Sequence, residues 1–370
     1  MKTIVTGAFL TLLVAAVWAQ QSAGGRQIGE KIEATPTAAA IEKGAKWLVS
    51  VQGADGGWGQ DGGETSYVRT GERLESSGND VANTAVATLA LLQAGKKYQP
   101  NVDRALNFIL KNVETSSADG LQITDRKGTQ IQRKLGPYID TFLTSMLLAQ
   151  VDGTLSKELN ARVRRALEKC VAKIERNQQK DGSWNIAGGW APILGTSMAS
   201  RSLFEAAQKG VKTEDVVMRR AEDYTVMALS APAVGVGAGF GGGVAGGSLS
   251  AAAGVPLYQK AQALEQLSRT EADRQKNAGE IKKIQADLVD ARFVEGFGSI
   301  GGEEFFSYLN VSDGLQRGGG AQWKQWHSQI VQKILNLQNS DGTWAGHHCI
   351  TGRVAVTSAA ILNLKFEHAN

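Results

Sequence analysis

The segment His347-His348-Cys349, with Arg353 four residues further on, gathers more reactive side chains than any other stretch of this chain. Two imidazoles and a thiol offer nitrogen and sulfur donors of the kind that hold zinc, and the same groups can serve acid–base chemistry. Against a metal, adjacent residues rarely all turn toward one ion, and the chain has no Cys-x-x-Cys or His-x-x-x-His spacing. The loop therefore reads as a metal site, as a structural or substrate-contacting segment, or as solvated surface, and no metal is assigned. A second set of polar residues stands where helix-like runs begin: Asp80, Tyr138 with Asp140, Thr196, and Glu303 with Glu304. In a first helical turn such residues cap free amides and complement the helix dipole, which is the plainest account of each taken singly.

The elements that must position these residues announce themselves by repetition. A pattern Q-x-x-D-G-x-W occurs three times, with Gln52, Asp55 and Trp58, then Gln178, Asp181 and Trp184, then Gln338, Asp341 and Trp344. Self-similarity of this kind reports repeat architecture. Upstream of each copy apolar residues recur at steps of three and four, as in Ile41, Gly44, Trp47, Leu48 and Val51, which predicts a helix with one buried stripe. Downstream lies a more apolar run: Val81 to Gln93, Thr196 to Ala207, and Val354 to Leu364. Each unit is a helix, a tight Asp-Gly turn and a helix, with Gly ending the first helix and Asp bonding local amides.

Lys43-Gly44-x-x-Trp47-Leu48-x-x-x-Gln52, closed by Gly56-x-Trp58, resembles the QW repeat of squalene and oxidosqualene cyclases, and the whole pattern is similar to the prenyltransferase and squalene oxidase repeat family. The resemblance covers roughly residues 36 to 366. It implies an all-α fold of six helix-hairpin repeats, an α6/α6 barrel or α/α toroid with inner helices around a central cavity. The turn aspartates at 55, 119, 181 and 341 leave room for two degenerate units before the last, giving six pairs. The second turns at Asp119-Gly120 without a Trp. The fourth pairs Val211 to Leu229 with Leu257 to Arg269, and the fifth pairs Ala272 to Arg292 with Glu303 to Leu315.

On such a toroid the inner-helix starts face the cavity mouth. Asp80, Tyr138, Asp140, Glu303 and Glu304 would then form a polar ring facing His347, His348, Cys349 and Arg353, a place for a polar ligand or acid–base chemistry. The family's activities do not transfer directly. Squalene-type cyclases protonate an alkene with an Asp-x-Asp-Asp cluster, and no two aspartates are adjacent in this chain. Protein prenyltransferase beta subunits hold zinc with Asp, Cys and His, but their Asp-x-Cys pairing has no match. The cofactor stays unknown, and whether the chain is an enzyme stays open.

Lys2 followed by an uncharged apolar run from Thr3 to Ala19 predicts a signal peptide over 1–19, hence a secreted or periplasmic protein, with a flexible lead-in at 20–36. The expected domain is a single toroid over 37–366 carrying a Gly-rich insertion at 231–254, and no transmembrane helix is expected in the mature chain. Gly237-Ala-Gly239-Phe-Gly-Gly242 matches G-x-G-x-x-G only formally, since it follows no strand. A net charge of +4 interspersed along helices gives no argument for nucleic acid. Cys170 and Cys349 are expected as free thiols. Three functions fit: a ligand- or partner-binding toroid; an exported enzyme acting on an isoprenoid or other lipid; and a polysaccharide lyase or hydrolase.

Overall fold

The three Q-x-x-D-G-x-W segments fold into the same turn, bond for bond. Each Asp Oδ1 accepts the main-chain N–H two residues on, Gly57 at 3.0 Å, Ser183 at 2.9 Å and Thr343 at 3.0 Å. Each indole N–H donates to a carbonyl ten residues back, at Leu48 (2.7 Å), Ile174 (2.8 Å) and Ile334 (2.7 Å), so the Trp satisfies an orphan carbonyl at the end of its own helix. Each Gln Nε2 donates twice, to the turn glycine's carbonyl and to the next repeat's outer helix, at Asn101, Val217 and Ala40. Gly56, Gly182 and Gly342 all have φ of 90°, and a Cβ there would collide with the neighbouring repeat's backbone near Arg104, Arg220 and Lys43. The motif is a stitch between repeats, and its third copy, reaching Ala40, closes the ring.

The computed structural model describes residues 35–60, 78–184, 192–230, 254–288 and 301–368, which lie in the compact unit Pro36–Asn370 apart from Thr35. The predicted leader and lead-in up to residue 34 and the Gly-rich segment 231–253 lie outside the described residues. Gly254, expected in that segment, opens a helix. Fourteen α-helices and no strands occur among the described residues: α1 (Pro36–Ser50), α2 (Val81–Ala94), α3 (Gln99–Thr115), α4 (Gln130–Leu135), α5 (Ile139–Val151), α6 (Lys157–Arg176), α7 (Pro192–Gln208), α8 (Asp215–Ser230), α9 (Gly254–Leu267), α10 (Glu271–Lys276), α11 (Ala278–Leu288), α12 (Gly302–Gly318), α13 (Gly320–Asn336) and α14 (Arg353–Leu364).

Packing turns this list into a toroid. α2 packs on α5, α5 on α7, α7 on α9, α9 on α12, α12 on α14, and α14 returns to α2. α1, α3, α6, α8, α11 and α13 lie against that inner six, giving the six expected pairs. The two rings differ in sequence for a physical reason. An outer helix such as α6 buries one stripe, Val163, Ala166, Leu167, Cys170, Val171 and Ile174, plus Lys173. An inner helix such as α2 is buried at every position from Val81 to Leu91, with Ala, Thr and Val allowing close approach on all sides. The degenerate second turn has its own device. Lys173 of α6 donates to the carbonyls of Gly120 (2.9 Å) and Gln122 (3.0 Å), holding from outside a turn that lacks a Trp. The expected helix 272–292 is divided at Asn277 into α10 and α11, α10 opening with a capping box at Thr270 and Asp273. No helix among the described residues is long and apolar enough to cross a membrane.

Candidate functional site

The inner helices begin at one end of the ring, and the structure divides the polar residues expected there into two groups. Asp80 caps α2, Oδ1 accepting Asn83 N–H at 2.8 Å and Oδ2 accepting Asn83 Nδ2 at 2.8 Å. Asp140 reaches across from α5 to accept Ala82 N–H at 3.0 Å and the Gln132 amide at 2.7 Å. These two buried carboxylates therefore serve the N-terminus of one helix. Burial raises the Asp80 carboxyl, and burial with the adjacent Asp80 pushes Asp140 up to about 7 against its accepted hydrogen bonds.

The second group is Glu303, His348 and Cys349, each 5% exposed or less. Glu303 is the second residue of α12, and His348 and Cys349 lie in the loop before α14. His348 Nδ1 stands 3.5 Å from Glu303 Oε1 and 3.3 Å from Cys349 Sγ, and the three ligand-type atoms all lie within 4.8 Å of one another. Two adjacent side chains converge here because Cys349 has φ of 59°, the one non-glycine residue in the left-handed region among the described residues. The loop also presses against α12 with no room for side chains. A Cβ on Gly301 would sit 2.6 Å from His348 Cε1, and one on Gly346 would sit 2.4 Å from Gly302 N. Tyr258 of α9 donates its hydroxyl to Glu303 Oε1 at 3.2 Å, and the other carboxylate oxygen accepts Ile350 N–H at 3.4 Å. Burial and Glu303 push both the Tyr258 phenol and the Cys349 thiol up.

Glu304, one residue on, shares a helix face with Tyr308, whose ring lies 5.7 Å from Lys333 Nζ. Both Glu304 oxygens are buried without a hydrogen bond, and burial with neighbouring Glu303 pushes this carboxyl up to about 9. His347 is half-buried, its pKa lowered by burial and by His348.

Two expected members are placed elsewhere. Arg353 donates to Asp341 Oδ2 at 3.0 Å and lies over the Trp47 ring at 5.2 Å, tying the last turn to α1. Tyr138 lines a polar groove of about 260 Å³ with the loop 115–125. α4 packs against α2, α5 and α7, and its Gln130 grips the loop before α14, donating to Thr351 Oγ1 at 2.8 Å and accepting the N–H groups of Thr351 (3.0 Å) and Gly352 (3.3 Å). Buried amides near helix starts must find acceptors, and these glutamines provide them. α4, Gln130 and Tyr258 escape a reading based on apolar periodicity. Thr129-x-x-Gln132, a capping box, is the signal that marks α4.

A polar cluster not foreseen lies toward the other end of the inner helices. Arg269 binds Glu265 through two nitrogens, at 3.0 and 2.7 Å, and donates to Ser200 Oγ at 3.0 Å. Arg201 pairs with Glu205 at 2.7 Å and reaches Asp313 at 3.5 Å, and Arg317 joins Asp313 to Glu265. Phe204 lies under both Arg269 (5.2 Å) and Arg317 (5.9 Å). Cys170 and Cys349 are both free and buried.

Residues 27–126 match the squalene–hopene cyclase C-terminal domain family. Within the sequence, 77 residues are 40% identical to a probable squalene–hopene cyclase of Sinorhizobium fredii, and 70 residues are 39% identical to the squalene–hopene cyclase of Bradyrhizobium diazoefficiens. These stretches cover 21% and 19% of this chain but only 11% and 10% of those enzymes. In three dimensions the chain matches a type II terpene cyclase from Scytonema in complex with the product merosterolic acid A, with a TM-score of 0.52 and 11% identity over 89% of this chain and 96% of that one. The apo form of the same cyclase matches with a TM-score of 0.50 and 11% identity, over 90% of this chain and 99% of that one. At this identity the likeness establishes the α/α toroid fold alone.

Proposed function

Taking the chain as a squalene–hopene cyclase-like toroid, we propose that it is an exported ligand-binding protein of the terpene-cyclase fold that does not carry out proton-initiated cyclisation. The supporting observation is how its carboxylates are used. The sequence has no Asp-x-Asp-Asp, and Asp80 and Asp140, the aspartates at the inner-helix starts, are committed to the amides of α2. The ligand class follows the likeness: an isoprenoid or another lipid bound within the ring, near the end where Glu303 and His348 lie. Export rests on the apolar run from Thr3 to Ala19 after Lys2.

The test incubates the purified mature chain with squalene and with geranylgeraniol, following binding by native mass spectrometry and products by gas chromatography. A bound, unaltered isoprenoid is the expected result. A cyclised product would overturn the binding reading in favour of an isoprenoid-converting enzyme, and failure to bind either probe would reject the ligand class.

A further inference from the structure

We propose that Glu303, His348 and Cys349 form a binding site for one divalent transition-metal ion, with zinc the ion their donor chemistry fits best. The proposal stands apart from the isoprenoid reading and survives its failure.

Convergence is the first argument. A tetrahedral zinc ion with bonds of about 2.0 Å to nitrogen and oxygen and about 2.3 Å to sulfur places its donor atoms roughly 3.3–3.6 Å apart. His348 Nδ1 already lies 3.3 Å from Cys349 Sγ and 3.5 Å from Glu303 Oε1, and the whole trio spans no more than 4.8 Å. A modest contraction completes the triangle.

The chief alternative for these residue types is a nucleophilic Cys-His-Glu triad, and its geometry is absent. A triad needs one imidazole nitrogen on the nucleophile and the other on the carboxylate, so that a proton passes through the ring. Here the same nitrogen, Nδ1, faces both Cys349 and Glu303. Three donors pointing at one another describe a coordination shell.

Charge supplies the second argument. A buried carboxylate needs a positive partner, and the basic group within ion-pair distance of Glu303 is His348, an imidazole that carries charge only when protonated. A divalent cation would provide that charge, with Cys349 binding as thiolate after losing its proton to solvent. One thiolate, one imidazole and one carboxylate suit zinc better than magnesium or calcium, which prefer all-oxygen shells. Three protein ligands leave a fourth position for water or an exogenous ligand. The supporting shell is built as such sites require: the Tyr258 hydroxyl on Glu303, and Gln130 clamping the loop two residues beyond Cys349.

The experiment uses the mature chain without an affinity tag, stripped by chelator and titrated with Co²⁺ and Zn²⁺. Expected are one equivalent of zinc by elemental analysis, and with Co²⁺ a thiolate charge-transfer band together with intense visible bands of a tetrahedral site. Cys349→Ser abolishes the charge-transfer band, and His348→Ala weakens binding by about 100-fold or more, beyond the 10–100-fold typical of outer-shell changes. Tyr258→Phe, which removes only the hydroxyl on Glu303, weakens binding about tenfold. Cys170→Ser leaves the spectrum unchanged. Absence of a stoichiometric band in the folded wild-type chain overturns the proposal even if every variant misfolds, and so does a charge-transfer band that persists in Cys349→Ser.

Discussion

The two ends of the inner ring bury acidic side chains by opposite means. Toward the C-terminal ends of α7, α9 and α12, Glu205, Glu265 and Asp313 meet Arg201, Arg269 and Arg317. Burial raises Glu205 in spite of Arg201, but at Glu265 Arg269, Arg201 and Arg317 outweigh burial and hold the carboxyl below the usual range, and Asp313, Glu205 and Glu265 more than offset the burial of Arg201. At the N-terminal end no guanidinium among the described residues joins Glu303 or Glu304, and the carboxyls of Asp80, Asp140 and Glu304 are all raised. The first arrangement is closed electrostatically and reads as structure. The second holds Asp80, Asp140 and Glu304 as carboxyls whose protons burial retains, and such groups mark a place for a polar ligand or a cation.

The largest expected effect sharpens that contrast. Glu265→Ala takes the carboxylate from buried Arg269 and one of the two from Arg317, and lowers stability by about 3–5 kcal/mol, read from chemical denaturation. A loss below about 1 kcal/mol would show the paired end to be far less dependent on its charges than the geometry states.

Next comes a pH effect from the N-terminal end. The folded state holds Asp140's proton up to about 7 whereas an unfolded aspartate releases it near its ordinary 3.8. Its contribution is thus complete at low pH and is lost as pH rises through about 7, and Asp80, raised in the same direction, adds to that slope. The loss amounts to about 2–4 kcal/mol between pH 4 and 8. Urea midpoints measured across that range should fall with pH in the wild type and flatten in Asp140→Asn; equal slopes would remove Asp140 as the cause.

The smallest effect is expected at Glu304. Its oxygens make no hydrogen bond, so Glu304→Gln changes stability by about 1 kcal/mol or less. A loss as large as that at Glu265 would erase the difference between the two ends.

Much of the architecture was legible because the repeat is written in residue types that only one local structure satisfies. Gly56, Gly182 and Gly342 need the left-handed conformation, each Asp folds onto an amide two residues away, and each Trp finds a carbonyl ten residues back; all of these are contacts within about a dozen residues. The second turn shows where such reading stops. Its missing Trp is answered by Lys173, more than 50 residues later.

The candidate site divides along the same line. Asp80 as a cap could be read from its place before an apolar run, and His348 and Cys349 drew notice by type alone. That Asp140 serves another helix's amide, that Arg353 leaves the site for Asp341 and Trp47, and that Gln130 grips a loop 221 residues away are consequences of ring closure.

The sequence by itself determined the repeat unit, the number of helix pairs and the absence of an Asp-x-Asp-Asp acid, because periodicity, turn chemistry and motif content are properties of neighbouring residues. Only the tertiary structure decided that adjacent His348 and Cys349 turn toward Glu303, and that the acids of one end meet arginines while Asp80 and Asp140 at the other meet amides. A left-handed residue among close-packed glycines, and charges brought together from three helices, are set by how the ring closes in space.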